Sequence, residues 1–293
     1  MKYSIRVIIA TLLIFTAAGS VAFFAVRRAN NPISTSGKPI VVVTVPHMAV
    51  WLDNIAAGSL EVRQLMPPGT DAHDFSLTPS AAASLSSAAL LVANGAGLEP
   101  WLEDVIELVP ETPVLELATN VQTIPGDPHV WLDPVLAITQ VKEVSQAIMH
   151  IVPENDQVII DATDTYVQKL QALDREIQDQ LGPLKQRSFI AFHNSFSYFA
   201  QRYSLTQAAN LVERPQDQVT FAELASLGEI IKDQNLDTLF IEPGPIPDIA
   251  QTVADEFGVA LVVLDPLERI KVSPDAYVTA MRNNLAALVT SLR

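Results

Sequence analysis

Three of the five histidines stand at the ends of three different elements, which raises the question of a metal. His73 lies in "PPGTDAHDFSLTP", between Asp71 and Asp74 and just ahead of a helix-like run. His129 lies in "GDPHVWLDP", and His193, in "IAFHNSFSYF", directly follows a run that reads as a strand. Imidazole nitrogen suits zinc, and a carboxylate can complete four-coordination. Two carboxylates end strand-like runs in the same way: Glu242 after "DTLFI" and Asp265 after "ALVVL". A ligating imidazole needs its other ring N–H held, and Asp71, Asp74 or Asp127 could hold it. Taken singly, each residue has a plainer explanation. Asp265 before Pro266 can begin a turn, Glu242 before Pro243 can pair with a basic side chain, and a histidine in a polar loop is usually only polar. His47, in "TVPHMAV", follows the first strand and could face the same cleft, whereas His150, in "AIMHIVPEN", ends a helix and is set aside. No compact signature such as a zincin helix pair is present.

The elements that must position these groups are legible as runs. Buried β-branched stretches occur at "IVVVTV", "ALLVANG", "RSFIAFH", "DTLFIEPG" and "VALVVLDP", the pattern of parallel strands covered on both faces. Helical patterns lie between them, including "TPSAAASLSSA", "EPWLEDVIELV", "TFAELASLGEIIKDQ" and "IPDIAQTVADEFG". This alternation predicts an α/β fold with parallel sheets. From Asn155 to Leu181 the rhythm breaks, with no Gly or Pro, and Ile159, Ala162, Tyr166, Leu170, Leu173, Ile177 and Leu181 step by three or four. That is one stripe of a helix roughly 40 Å long. Gly182-Pro183 ends it. Two parallel-sheet lobes joined by one rigid helix are therefore expected: 39–154, a connecting helix over 155–182, and 183–293. Ligands in such sheets collect beyond the carboxyl ends of strands. His73 and His129 belong to the first lobe and the remaining candidates to the second, so one ion in the cleft could take ligands from both.

Composition limits the function classes. Hydrophobic content of 49% with 17% charged residues is that of a well-buried globular chain. There is no cysteine, which excludes disulfides, thiolate metal sites and a lipid-modified amino-terminal cysteine. Residues 1–28 carry Lys2, Arg6, Arg27 and Arg28 around an apolar run from Val7 to Val26, long enough to span a bilayer. An export signal or uncleaved anchor is expected there, followed by a tether over 29–38. A small-residue cleavage site at Ser20-Val21-Ala22 is the alternative. Either way the folded part is exported, periplasmic or at the cell surface. Beyond residue 28 the balance is 14 basic against 33 acidic side chains, a surface unsuited to nucleic acid.

In order along the chain, "PPGTDAHDFSLTPS", "LLVANGAGLEPWL", "DPHVWLDP", "FIAFHNSFSYFAQRYSL", "LFIEPGPIPDIAQTVADEFGV" and "VVLDPL" resemble the substrate-binding proteins of zinc and manganese ABC importers, the metal-receptor class with a rigid connecting helix. The resemblance runs from Ile40 to Leu267. It implies a receptor without catalysis that hands its ion to a membrane permease. It also implies His73, His129 and His193 as ligands, with Asp265 as the fourth or a close neighbour. Glu242 is expected to orient His193 or a loop donor, and His47 is held in the second tier. The chain is expected to be a monomer. Manganese receptors of this class usually carry glutamate at the third ligand position, so His193 tilts the expectation to zinc, with manganese or iron as the alternative. The segment "LATNVQTIPGDPHV" is short and lacks the His-rich insertion of many zinc receptors. Two rival readings come from other classes. One is a secreted zinc-dependent hydrolase with Glu242 as base, which would need an open coordination position. The other is a surface scaffold or adhesin retaining a vestigial site.

Overall fold

In the computed structural model, which describes residues 36–67, 69–215 and 217–292, four of the five apolar runs form the middles of two four-stranded parallel sheets, and the fifth, "VALVVLDP", forms a part-exposed edge strand rather than one covered on both faces. The first contains β1 (Ile40–Val43), β2 (Glu61–Gln64), β3 (Leu90–Ala93) and β4 (Val114–Glu116), in the order β2-β1-β3-β4. The second contains β5 (Ser188–His193), β6 (Thr206–Val212), β7 (Thr238–Ile241) and β8 (Ala260–Val263), in the order β6-β5-β7-β8. The central strands β1, β3 and β7 are buried at every position, which is why each reads as an unbroken apolar run. The export segment and most of the tether expected from the sequence lie outside the described residues.

Both strand orders reverse direction at one point, between β1 and β3 and between β5 and β7. Loops leaving neighbouring strands diverge there and open a crevice at the strands' carboxyl ends. The chain before β2 forms α1 (Pro46–Ile55), and the loops after β2, β3 and β7 lead to α2 (Pro79–Ser86), α3 (Leu102–Leu108) and α8 (Asp248–Phe257). In the second lobe α6 (Ser197–Arg202) follows β5 and α7 (Phe221–Asp233) follows β6.

The connecting helix α5 spans Asp156–Leu181, 26 residues, and buries Ile159, Tyr166, Leu170, Leu173, Ile177 and Leu181 along one face. It packs against α4 (Pro134–Ile151), α1 and the carboxyl-terminal helix α9 (Ala276–Ser291). The main apolar core runs without interruption from Val41 and Trp51 of the first lobe through Tyr166 and Leu173 of the spine to Phe189, Phe240 and Tyr277. Exposed Arg202 clasps Asp174 of the spine through Nε and Nη2, at 2.9 and 2.6 Å, and Tyr203 adds a hydroxyl bond at 3.0 Å. Hinge motion would have to break this shared core. No helix among the described residues is long and apolar enough to cross a membrane.

Candidate metal centre

Each element delivers one donor to the crevice. The loop between β2 and α2 carries His73, a single-turn helix over Val130–Leu132 is preceded by His129, β5 ends at His193, and the loop after β8 carries Glu268. One potential ligand atom from each of the four lies within 4.8 Å of every other, and all but half-buried His73 are buried. His129 Nε2 is 2.8 Å from Glu268 Oε1 and 3.3 Å from His193 Nε2. His73 Nε2 is buried with no hydrogen-bond partner, although burying a polar nitrogen without one costs on the order of 1–3 kcal/mol. Three nitrogens and one carboxylate oxygen converging from both lobes match a closed four-coordinate zinc site.

The donors are held from behind. Asp127 Oδ1 accepts from His129 N at 2.8 Å and faces His129 Nδ1 at 2.7 Å, leaving Nε2 aimed at the cluster. Its other oxygen accepts from Ser197 N at 2.8 Å, so one carboxylate ties the His129 loop to the helix that follows His193. His193 Nδ1 is paired with Glu242 Oε1, which leaves Nε2 for the cluster. Asp71 Oδ1 accepts from His73 N at 2.8 Å, and its Oδ2 lies 3.4 Å from Arg269 across the lobes. Glu242 and Asp127 thus occupy supporting positions of the kind that fix a ligand's tautomer and direction, whereas Asp71 holds the backbone of His73.

Asp265, the carboxylate expected from the sequence, is not in the converging group. Its Oδ1 accepts from Leu267 N at 2.7 Å, and Asn284 of α9 bonds both its N–H and its carbonyl, each at 2.7 Å. It is the turn-former that Asp before Pro suggests, and the turn aims Glu268 inward three residues later. Leu267 is fully buried with φ +67°, a left-handed conformation that costs a non-glycine residue about 1–3 kcal/mol and recurs at functional sites. Trp131 Nε1 donates to Pro266 O at 2.7 Å, and Tyr277 Oη donates to Trp131 O at 2.5 Å, pressing that turn onto the first lobe. The sequence offered "DPLER" as a signal for Glu268, but a glutamate followed by an arginine reads as a surface pair. His47 also stands outside the group. Its ring stacks on Trp131 with centroids 4.3 Å apart, and neither of its ring nitrogens has a hydrogen-bond partner. His150 lies in the last turn of α4 and takes no part.

Charge is distributed unevenly. Burial opposes a charged His129, yet Asp127 and Glu268 outweigh it and hold the imidazolium far above the ordinary range. Burial would raise Glu268, but the bond from His129 pulls it down to about 2. Burial lowers His73 and pushes His47 down to about 3, so both are neutral at pH 7. Burial raises Asp265.

Residues 41–291 match the sequence model of a family described as zinc-uptake complex component A, periplasmic. The zinc-binding lipoprotein AdcA of Streptococcus pneumoniae serotype 4 is 27% identical over 292 residues, which cover 91% of this chain and 58% of that one. This chain therefore spans little more than half the length of that relative. The manganese-binding lipoprotein MntA of Halalkalibacterium halodurans is 25% identical, covering 82% of this chain and 84% of its own. The Zn(II)-bound ZnuA-like domain of Streptococcus pneumoniae AdcA superimposes with a TM-score of 0.77 at 28% identity, covering 87% of this chain and 99% of that domain.

Proposed function

Since the chain belongs to the family of periplasmic zinc-uptake component A proteins, we propose that it is an extracytoplasmic zinc receptor of an ABC-type importer. It binds one ion between its lobes and hands it to a membrane permease, without catalysis. The observation that carries the reading is the convergence of His73, His129, His193 and Glu268 from both lobes within 4.8 Å. Neutral nitrogen donors select zinc over manganese on softness, and the affinity order of divalent ions runs the same way. The receptor acts as a monomer tethered by its amino-terminal apolar segment. A hydrolytic role is disfavoured because Glu268 fills the fourth position, where a reactive water would bind, and Glu242 is engaged with His193. A manganese reading has one specific support, the relative named as manganese-binding, and competition separates the two. Protein stripped with a chelator and titrated with zinc against manganese should bind one equivalent and prefer zinc by more than about a hundredfold. Equal affinity, or no binding, would sink the proposal.

A further inference from the structure

The loop between β3 and α3, residues 94–101, contributes no donor to the cluster, yet it touches the backbone beside two donors. Trp101 Nε1 donates to Ala72 O at 2.8 Å, one residue before His73. At the other end, Asn94 Nδ2 donates to Pro128 O at 2.9 Å, one residue before His129. Between these ends the backbone is forced. Gly95, Ala96 and Gly97 are all left-handed, at φ +74°, +53° and +83°. A Cβ on Gly95 would sit 2.7 Å from Glu116 Oε2. Glycine adopts this conformation freely, so the strain falls on Ala96, which persists there only where its surroundings hold it.

Glu99 does that. Its side chain is buried, and it accepts from Thr44 Oγ1 at 2.6 Å, Asn94 N at 2.9 Å and Gly95 N at 2.9 Å. Thr44 directly follows β1 and Asn94 directly follows β3, so this carboxylate clasps the carboxyl ends of the two strands at the reversal point of the first sheet. Burying this carboxylate is costly, and the two backbone N–H groups and the hydroxyl that it satisfies offset that cost. What the clasp does supply is a rigid bracket between the two donor loops of the first lobe.

We propose that the 94–101 loop is a positioning bracket that sets the separation of His73 and His129, with Glu99 as its anchor and Trp101 and Asn94 as its two arms. The inference rests on the metal-receptor reading and adds residues to it. A bracket matters because the spine and the shared core fix one lobe against the other, while His73 sits in the loop between β2 and α2 rather than in a helix or strand. Loosening one arm lets His73 sample positions too far from the other donors and speeds loss of the ion.

Trp101→Phe tests this arm alone: it keeps the ring that packs edge-on against Phe75, centroids 4.8 Å apart, and removes the donor to Ala72 O. Glu99→Gln tests the anchor, because an amide cannot accept from both Asn94 N and Gly95 N, and Asn94→Ala tests the second arm. The probe is cobalt(II), whose visible absorption reports coordination geometry, with zinc affinity and thermal midpoint measured alongside. Trp101→Phe should weaken zinc about fivefold to tenfold, the scale of one lost hydrogen bond, chiefly through faster release. Its cobalt band should shift or lose intensity, and Glu99→Gln should do the same more strongly. If unmodified protein binds cobalt with a four-coordinate spectrum and all three variants keep that spectrum and full affinity while only their midpoints fall, the loop is merely structural and the bracket is wrong. If the unmodified protein gives no such spectrum, the receptor reading fails first.

Discussion

Binding of one zinc ion at pH 7.5 should expel one proton, and the proton should come from His129. Both ring nitrogens of this residue face carboxylates, Nδ1 toward Asp127 at 2.7 Å and Nε2 toward Glu268 at 2.8 Å. Burial opposes charge, but the two carboxylates outweigh it and place the imidazolium at about 10. Zinc needs the Nε2 lone pair, so the Nε2 proton must leave while Nδ1–H stays on Asp127. His73, lowered by burial, has no proton to lose at that pH. The sign follows from linkage: the metal-stripped protein binds one more proton than the loaded protein, so raising the pH favours loading. One proton corresponds to a tenfold gain in affinity per pH unit, or about 1.4 kcal/mol, and to about a hundredfold between pH 7 and 9. An ordinary histidine site would level off just above 6.5. Calorimetric titration in buffers of differing ionisation enthalpy measures the count directly, and the apparent enthalpy should change with buffer by the amount one proton requires. A buffer-independent enthalpy at pH 7.5 would refute the reasoning, because His129 would then already be neutral.

Other outcomes follow from the same geometry. Glu268→Ala should weaken zinc binding by more than about a hundredfold, whereas Asp265→Asn, which loosens only the turn, should cost about tenfold; equal affinities in a competition assay would undo that ranking. Because the folded pKa of His129 is raised, its contribution to the stability of metal-stripped protein is complete below about 6.5 and disappears as pH rises through about 10. Thermal midpoints of stripped protein should therefore fall across that window while those of zinc-loaded protein hold steady. His47→Phe keeps the stack on Trp131 and removes two unpartnered nitrogens, so the midpoint should rise by the equivalent of about 1 kcal/mol with zinc affinity unchanged. Arg269→Ala breaks a part-exposed pair with Asp71 and should speed zinc release a few-fold in a chelator-chase experiment, a modest effect in keeping with its exposure.

What the sequence disclosed followed burial. Strands covered on both faces, such as "IVVV" and "TLFI", announce themselves because every position is apolar, and the spine announces itself by its stripe. β2, β4 and β6 went unread for the complementary reason. All three are edge strands, and "EVRQ" and "TQAANLV" mix polar with apolar residues; β8, the fourth edge strand, was legible only because "ALVV" is apolar although two of its four residues are exposed. The three histidines stood out because each ends a separate element, and it was the family resemblance that implied them as ligands. The carboxylate was harder, since Asp265 and Glu268 share one turn. Only the hydrogen bond from Leu267 N to Asp265, with the left-handed Leu267, shows which of them the turn points inward. His47 sits at the right end of β1, but its ring is taken up by Trp131, a packing choice that spacing does not encode.

Anomalous diffraction at the zinc edge, from crystals of the loaded protein, locates the ion and its ligands in one measurement. A single interlobe peak is expected about 2.0–2.2 Å from Nε2 of His73, His129 and His193 and from a carboxylate oxygen of Glu268, with Asp265 still bonded to Leu267 N. A peak bonded to Asp265 with Glu268 turned away, or one that lacks His73 or enlists His47, would contradict that expectation.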